Sequence, residues 1–138
     1  MKIIGLMSGT SIDGVDVAYC DFSISPKGKI DYSLLAAETY SYTAEWREKL
    51  RAVPTFSAYD YALADVQLGH LFGQIVLDFR SKHPGTVDLI ASHGHTVFHQ
   101  PHLQLTTQIG DGNAIAAETH LPVVCDFRRL DVALGGQG

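Results

Sequence analysis

The sequence predicts an α/β protein whose mixed sheet opens with a three-stranded antiparallel meander, continues with parallel strands and carries helices packed on it. Two observations support this class. The amino-terminal third contains three strand-like stretches separated by short turns, and two helical patterns follow before the next apolar run. Strands and helices then alternate, which is typical of parallel pairing. Because no linker interrupts the 138 residues, we expect a single domain over residues 1–138.

The meander begins with the apolar run KIIGLM, and from Val15 the segment VDVAYCDFSI alternates apolar and polar residues as a half-buried strand does. The segment SGTSIDG would join these two strands as a hairpin. SPKG at residues 25–28 is a turn, and the Tyr, Thr and Leu content of KIDYSLLAAETYSY favours a third strand.

Two helices are predicted after the meander. Thr43 is a typical N-cap for the segment TAEWREKLRAV, which has apolar residues at helical spacing and is stopped by Pro54. A longer helix is expected from about Ser57 to Lys82, because its apolar residues form one broad face. The segment HPG ends that helix.

The last third of the chain alternates short strands with a helix. VDLIAS suits a buried strand, and it would deliver the polar cluster SHGHTVFHQP at its carboxyl end, where open α/β sheets bind ligands. LQLTTQIG is predicted as a strand or a pair of short strands, DGNAIAAETH as a helix entered through Asp111, and LPVVCDF as one more buried strand. The final RRLDVALGGQG is polar and glycine-rich, and GGQG is interpreted as a flexible tail.

Composition narrows the class of protein. The net charge of −5 and the scattered Lys and Arg residues argue against a general nucleic-acid binder, which needs a basic surface. The two cysteines, Cys20 and Cys125, have no metal-ligand spacing. The start MKIIGLMSG is too short and too quickly polar for a signal peptide or a membrane span. These features predict a cytoplasmic protein with neither a nucleic acid nor a membrane as partner.

The stretch GLMSGTSIDGVD carries more polar groups than a turn requires. Backbone N–H groups of a glycine-rich hairpin can converge on an anion, and the hydroxyls of Ser8, Thr10 and Ser11 would add donors, which suits a phosphate. The alternative is a purely structural loop that needs Gly9 and Gly14 for positive φ, with Asp13 making a local side-chain turn. Local sequence leaves both readings open.

The segment SHGHTVFHQPH concentrates four of the seven histidines within ten residues. In an extended chain His93, His95 and His99 would share one face, and three neutral imidazoles are a workable zinc set. The segment contains no carboxylate to serve as general base, and its Gly and Pro interrupt an extended geometry. A hydrogen-bonding pair of histidines near a polar ligand is therefore the preferred interpretation.

Two further segments combine polar groups with strand ends. Gly110, Asp111 and Gly112 open a predicted helix, where Asp111 is either part of an anion site or a plain N-cap. In DFRRLD an arginine could bind a carboxylate or phosphate bidentately while an aspartate orients it, or the charges could form only a surface network. We expect these two segments, the hairpin and the histidine cluster to converge on one crevice.

Four segments, MSGTSIDGVDVA, SHGHTVFHQP, TTQIGDGNAIA and VVCDFRRLDVALGGQG, resemble in order the signature segments of the anhydro-N-acetylmuramic acid kinases. That family belongs to the superfamily of sugar kinases, actin and heat-shock chaperones, so the resemblance implies an actin-like ATPase lobe of ribonuclease H type. It also implies ATP and Mg²⁺ as cofactors and a small anhydro amino sugar as substrate. Water would open the 1,6-anhydro ring and the 6-hydroxyl would be phosphorylated, in recycling of cell-wall murein. Members of the family are usually cytoplasmic homodimers.

Carried over residue by residue, the resemblance assigns the ATP phosphates to the hairpin: Gly9, Thr10, Ser11, Ile12, Asp13, Gly14, Val15 and Asp16. It assigns the sugar to two later segments: His93, His95, Thr96, Asp126, Arg128 and Arg129. No residue is assigned to a metal.

The chain departs from the family in two respects. Members are normally more than twice as long and have two lobes, which implies that residues 1–138 are an amino-terminal lobe, truncated and inactive alone. The family's catalytic aspartate and adenine-binding segments are expected beyond Gly138. Many members also have Gln where this chain has His95, a difference that would alter a sugar contact or its pH response. A non-catalytic binding module that kept the fold of the lobe is the alternative.

Overall fold

Six strands form one mixed sheet in the order β3-β2-β1-β4-β5, with β6 also paired to β4. The computed structural model describes all 138 residues. The strands are β1 (Lys2–Ser8), β2 (Gly14–Ile24), β3 (Ile30–Ser41), β4 (Leu89–Gln100), β5 (Leu105–Ile109) and β6 (Val123–Cys125). The helices are α1 (Ala44–Ala52), α2 (Ala58–Lys82), α3 (Gly112–Thr119) and α4 (Phe127–Ala133), and short 3₁₀ helices lie at Val53–Thr55 and Pro101–Leu103. The predicted α/β class with a mixed sheet is confirmed.

The predicted meander is present. Strand β1 pairs antiparallel with β2, and β2 pairs antiparallel with β3, which is an edge of the sheet. Strand β4 pairs parallel with β1, and β6 pairs parallel with β4. Strand β5, in contrast, returns after the 3₁₀ helix Pro101–Leu103 and runs antiparallel to β4. The parallel part of the sheet is therefore β1, β4 and β6.

Two strands pair with successive parts of the same edge of β4. Strand β6 covers Ile90 to Ser92, and β5 covers His95 to Gln100. His93 and Gly94 face neither strand in this register, so a gap lies between the carboxyl ends of β5 and β6. This gap is where the candidate site forms.

Helix α1 begins at the predicted cap Thr43, and α2 begins after Ser57, where the sequence predicted its start. The Thr43 hydroxyl accepts a hydrogen bond from the N–H of Trp46, and the Ser57 hydroxyl accepts one from Asp60. Helix α2 packs Leu68, Phe72 and Phe79, all fully buried, in the same core as Ile4 and Ile90 of the sheet.

Helix α3 lies close against α2 because α2 has glycines at the crossing. A Cβ on Gly69 would lie 2.5 Å from the carbonyl oxygen of Asp111, and one on Gly73 would lie 2.5 Å from Cβ of Glu118. Side chains at these two positions would push the start of α3 outward. The two glycines thus fix the position of Asp111 relative to α2.

Two details differ from the sequence-based expectations. The polar cluster SHGHTVFHQP, except its final proline, lies within β4 and does not follow it, because antiparallel pairing with β5 extends the strand to Gln100. No element was predicted after β6, but residues Phe127–Ala133 form α4, which buries Val132 and ends before Gly135 at φ +89°. No helix of the fold is long and apolar enough to cross a bilayer.

Candidate functional site

A polar cavity of about 540 Å³ lies at the gap along β4, between the carboxyl ends of β5 and β6. Its walls come from β4, from the end of β5 with the start of α3, from β6 with the start of α4, and from one residue of α2. Three of the four segments that were expected to converge do meet here. We call this space the polar cavity; its charged and polar lining residues include Asp65, His93, Gln108, Asp111, Asn113, Asp126 and Arg129.

Two glycines in the left-handed region let β4 and β5 meet at this gap. Gly94 has φ +75°, and a Cβ there would lie 2.7 Å from the carbonyl oxygen of Ile109. Gly110 has φ +115°, and its Cβ would lie 2.8 Å from the ring of Phe72. L-residues with side chains are strained in this conformation, so both the backbone and the available space require glycine.

Sequence reasoning missed Asp65 of α2, which lines the polar cavity. Its Oδ1 accepts a hydrogen bond of 2.7 Å from the N–H of Gly110, and its carbonyl oxygen accepts one of 3.2 Å from Asp111. Burial raises the pKa of the Asp65 carboxyl, and the hydrogen bond from Gly110 opposes part of this shift. The sequence feature that could have indicated Asp65 is its position as an acidic residue directly after Ala64. Ala64 is buried, and Asp65 lies on the face of α2 that approaches α3.

Asp111 acts as the N-cap of α3, because its Oδ1 accepts a hydrogen bond of 2.6 Å from the N–H of Asn113. The cap interpretation is therefore confirmed. Asp111 also lines the polar cavity, so the same side chain can cap α3 and contact a ligand.

The two adjacent arginines occupy different environments. Arg128 donates its Nε–H to Nε2 of His93 at 2.9 Å, and Nδ1 of His93 lies 3.0 Å from the carbonyl oxygen of Gly94. A ring that accepts at Nε2 and donates at Nδ1 is the neutral tautomer. Arg129 lines the polar cavity with a side chain that is 61% exposed and lies 3.5 Å from Asp126 Oδ1. Arg128 thus holds His93 in place, while Arg129 remains available at the cavity rim.

The remaining predicted sugar residues lie outside the polar cavity. His95 is buried, and Thr96 pairs with Gln108 of β5, whose Nε2 lies 3.4 Å from the Thr96 hydroxyl. His93, Asp126 and Arg129 line the cavity, and Arg128 contacts it only through His93.

The structure does not bring His93, His95 and His99, the residues of the zinc alternative, together. No group of three or more His, Cys, Asp or Glu side chains is arranged to hold a metal ion. His93 is bonded to Arg128, Nδ1 of His95 is bonded to Ser8, and Nδ1 of His99 lies 3.2 Å from the Thr106 hydroxyl. The strand places the three imidazoles in separate environments.

The hairpin, residues 9–16, does not line the polar cavity. Its left-handed residue is Ile12, with φ 56°, whereas Gly9 and Gly14 are not in the positive-φ region. The structural explanation of these two glycines by positive φ is therefore wrong. Gly14 is required for a different reason, because a Cβ there would lie 2.5 Å from the carbonyl oxygen of Tyr40. A Cβ on Gly9 would meet no atom closer than the Ser11 hydroxyl oxygen, at 3.4 Å.

Two aspartates of the hairpin are held by hydroxyl groups. Ser11 donates to Oδ1 of Asp13 at 2.7 Å, which lowers the pKa of that carboxyl, and Thr39 donates to Oδ1 of Asp16 at 2.6 Å. The Ser11 contact agrees with the local side-chain turn expected at Asp13. Both carboxylates are exposed and provide hard oxygen ligands of the kind that Mg²⁺ prefers.

Three buried side chains join the hairpin to the wall of the polar cavity. The Ser8 hydroxyl lies 2.8 Å from the Tyr42 hydroxyl and 2.9 Å from Nδ1 of His95. Burial raises the pKa of Tyr42 to about 12, and burial lowers the pKa of His95, with the nearby His93 adding to the effect. Ser8 precedes Gly9 and His95 follows Gly94, so this triad connects the two regions directly.

Comparison with known proteins identifies the family. The family model of anhydro-N-acetylmuramic acid kinase matches residues 1–138. The chain belongs to the anhydro-N-acetylmuramic acid kinase family. The resemblance seen in the sequence is thereby confirmed.

Curated relatives with that name match along almost the whole chain. The kinase of Picosynechococcus sp. is 42% identical over 144 residues and that of Vibrio vulnificus 43% over 143 residues, covering 100% and 98% of this chain. The kinase of Rhodopseudomonas palustris is 40% identical over 146 residues, again with 100% of this chain covered. The chain spans only 38%, 37% and 40% of the length of these three family members.

Proposed function

We propose that this chain forms part of an anhydro-N-acetylmuramic acid kinase, in which residues 9–16 hold the phosphates of ATP and the polar cavity holds an anhydro amino sugar. The polar cavity is the observation that carries the proposal, because separately predicted segments meet in it. In the reaction that we propose for the whole enzyme, water opens the 1,6-anhydro ring and the 6-hydroxyl receives the phosphoryl group. We place this reaction in murein recycling in the cytoplasm.

The chemistry of the polar cavity supports a hydroxyl-rich ligand. The carboxylates of Asp65 and Asp126 can accept hydrogen bonds from sugar hydroxyls, while Asn113 and Arg129 can donate. A guanidinium at the rim also suits the carboxylate of a muramic acid, since arginine binds carboxylates in a bidentate manner.

The hairpin supplies the groups that a nucleotide requires. Thr10 and Ser11 are exposed and carry hydroxyl donors, and the exposed Asp13 and Asp16 could hold Mg²⁺ beside the phosphates. When bound, Mg²⁺ would neutralise charge on the transferred phosphoryl group. Because phosphoryl transfer depends mainly on positioning, the Ser8 triad matters as the connection between nucleotide and sugar regions.

We propose that the 138-residue chain binds ligands without turnover. The resemblance places the aspartate that activates water in none of these residues, and the relatives are more than twice as long. ATP-dependent phosphorylation of anhydro-N-acetylmuramic acid by the purified chain is the direct measurement. Turnover at the rate of ordinary enzymes would show that these residues already contain the catalytic machinery.

Binding is best tested by nuclear magnetic resonance on the labelled chain. The sugar should shift amide signals around the polar cavity, including Gly94, Gly110 and Asn113, whereas Mg-ATP should shift those of residues 9–16. Asp126→Asn should weaken sugar binding, and the exposed Asp31→Asn on β3 serves as its matched control. Sugar-induced shifts spread evenly over the surface, or equal effects of the two variants, would contradict the proposed sugar site.

A second candidate function is a non-catalytic interaction module, and the observation that favours it is the surface of α4. Phe127, Leu130 and Leu134 are 47%, 70% and 80% exposed on one short segment, and such surfaces mark contacts with other proteins. Sedimentation velocity with and without the sugar separates the two functions. A dimer that binds no sugar favours the module, whereas sugar binding favours the kinase lobe, whether the chain is a monomer or a homodimer.

A further inference from the structure

Strands β2 and β3 extend together beyond the end of β1. Pairing between β1 and β2 ends at Lys2 and Asp21, whereas pairing between β2 and β3 continues to Ile24 and Ile30. Residues 20–24 and 30–34 therefore form a two-stranded ribbon, whose outer strand, β3, is an edge of the sheet. A ribbon of two strands is only marginally stable in water by itself, so the chemistry of its faces indicates what it is suited to contact.

One face of this ribbon is apolar and the other is polar. Three cross-strand pairs form the apolar ribbon face: Cys20 with Leu34, Phe22 with Tyr32, and Ile24 with Ile30. The pairs on the opposite face are polar: Asp21 with Ser33, and Ser23 with Asp31. Strict alternation of this kind is typical of strands that have one face buried and the other face in water.

The apolar ribbon face is nevertheless exposed. Ile24, Ile30, Tyr32 and Leu34 are 68%, 62%, 71% and 59% exposed. The face points away from α2, because Tyr19, the residue before Cys20, is buried in the core that α2 completes. None of the six residues of the face belongs to that core or packs against it, and α4 contacts β5 at the opposite edge of the sheet. The described elements therefore leave this face uncovered.

The exposed area of the face has the size of a weak protein interface. Four side chains of this size at about two-thirds exposure amount to roughly 400–500 Å², within the range of about 300–600 Å² for the largest apolar patch on a typical monomer. Two such faces in contact would bury about 900 Å² in total, whereas stable interfaces bury at least about 1,200 Å². The area thus fits a reversible complex and falls short of a permanent one.

The pattern of the face is complementary to itself. Phe22 and Tyr32 form its central pair, with ring centroids 5.8 Å apart, and one further apolar pair lies on each side. A two-fold axis through the central pair would place the pair at Cys20 of each copy against the pair at Ile24 of the other copy. No side chain of the face is charged, so the contact would bury no ion. Because the chain carries a net charge of −5, an uncharged face is also where two copies repel each other least.

We propose that the apolar ribbon face binds the same face of a second copy of this chain and so forms a reversible two-fold dimer. This inference goes beyond the proposed function and does not depend on it, because the ribbon lines neither the polar cavity nor residues 9–16. A lipid surface and an unrelated protein are the competing occupants of the face.

Sedimentation equilibrium of the purified chain between about 5 and 500 µM measures this association, for which we expect a dissociation constant of about 10–200 µM. Ile24→Glu places a carboxylate inside the contact and should weaken the dimer at least about tenfold, because burying an unpaired charge is costly. Ser23→Glu is the matched control. It adds the same charge one residue away, on the polar face, and should leave the dissociation constant within about twofold of the parent value.

Nuclear magnetic resonance on the labelled parent chain tests the same contact without any substitution. Dilution should shift the amide signals of residues 20–24 and 30–34 and leave those of α3 and α4 in place. The folded Ile24→Glu variant should still bind the sugar as the parent chain does, since position 24 lies outside the polar cavity.

A parent chain that stays monomeric at about 500 µM would overturn the proposal. Equal dissociation constants for Ile24→Glu and Ser23→Glu would also overturn it. Dilution shifts confined to α4 would assign the contact to Phe127, Leu130 and Leu134 and not to the ribbon. Binding of a monomeric chain to phosphatidylglycerol vesicles, abolished by Ile24→Glu, would assign the face to a lipid surface in place of a second copy.

Discussion

The hairpin, residues 9–16, and the polar cavity are both glycine-rich, yet the fold holds them by different means. The hairpin is one continuous segment with half of its residues exposed, and Gly14 near its end is the position where the backbone of β3 approaches closely. The polar cavity is assembled from four parts of the chain and depends on Gly94 and Gly110, which combine positive φ with crowded surroundings. Substitutions in the middle of the hairpin should therefore affect ligands more than stability, whereas substitutions at the cavity should affect both.

The largest effect is expected from Gly94→Ala. The new Cβ would lie 2.7 Å from the carbonyl oxygen of Ile109, in a backbone conformation with φ +75°. Strain and overpacking together should lower the free energy of unfolding by about 2–4 kcal/mol. Urea denaturation measures this change.

Gly9→Ala is the matched substitution in the hairpin. The nearest atom to its Cβ would be the Ser11 hydroxyl oxygen at 3.4 Å, and φ at Gly9 is not positive. Its unfolding free energy should remain within about 1 kcal/mol of the parent chain. Equal losses in the two variants would mean that the hairpin and the cavity are constrained alike, which the contacts of these two glycines contradict.

The next effect concerns the triad that joins the two regions. Ser8→Ala removes the shared partner of the Tyr42 hydroxyl and of His95 Nδ1, leaving both buried groups unpaired. We expect a loss of about 2–3 kcal/mol in unfolding free energy. Hydrogen exchange should also show faster opening of residues 9–16, because the root of the hairpin loses its attachment to β4.

Tyr42→Phe provides the control for this prediction. It removes the phenolic oxygen and leaves Ser8 bonded to His95, so its cost should be smaller, about 1 kcal/mol. If Tyr42→Phe proved as costly as Ser8→Ala, the hydroxyl of Ser8 would not be the centre of the triad.

A smaller effect is a pH dependence of stability that originates at His95. Burial holds the pKa of His95 below its ordinary value of 6.5, so the unfolded chain binds a proton at a pH where the folded chain does not. The free energy of unfolding should therefore decrease as the pH falls below about 6.5. The contribution of His95 to this decrease should end at the lower pKa that the imidazole has in the folded state. Denaturation of the parent chain at about pH 7 and about pH 5 measures the slope.

His95→Gln replaces the imidazole by a neutral amide that can still bond Ser8, so the decrease between these two pH values should be reduced. Asp65 has a raised pKa and gives a contribution of opposite sign at lower pH, which is present in both chains. An unchanged slope in His95→Gln would assign the pH dependence to other groups.

The same contrast between the two regions explains how much the sequence predicted. The meander, the first two helices and the caps at Thr43 and Asp111 follow local patterns, and the structure contains them. The hairpin was identified as a polar loop because its residues are adjacent in sequence. Local sequence did not, however, predict why Gly14 is required, because the close contact at Gly14 comes from β3 and not from the loop itself.

The polar cavity was only partly predictable, because its members are distant in sequence. Strand ends indicated His93, Asp126 and Arg129, but Asp65 lies on α2 and reaches the cavity only because Gly69 lets α3 pack closely. The extension of β4 into the histidine cluster depends on pairing with β5, and this pairing buries His95 away from the cavity. Tertiary pairing, which no local pattern encodes, decided which histidine lines the polar cavity.

The smallest effects on stability are expected at the two arginines beside the polar cavity. One of them, Arg128, holds a neighbouring side chain in place, whereas the other, Arg129, is available to bind a ligand. Arg129→Ala removes an exposed ion pair of 3.5 Å, so unfolding free energy should change by less than about 0.5 kcal/mol, while binding of a carboxylate-bearing sugar should weaken. Arg128→Ala removes the donor to His93 and should lower the unfolding free energy by more, about 1 kcal/mol, with any effect on the sugar arising indirectly through the imidazole.

Calorimetric titration with the carboxylate sugar and with its methyl ester distinguishes the roles of the two arginines. Arg129→Ala should abolish the preference for the free carboxylate and Arg128→Ala should keep it, because only Arg129 reaches the cavity; the reverse result would exchange the roles of the two side chains.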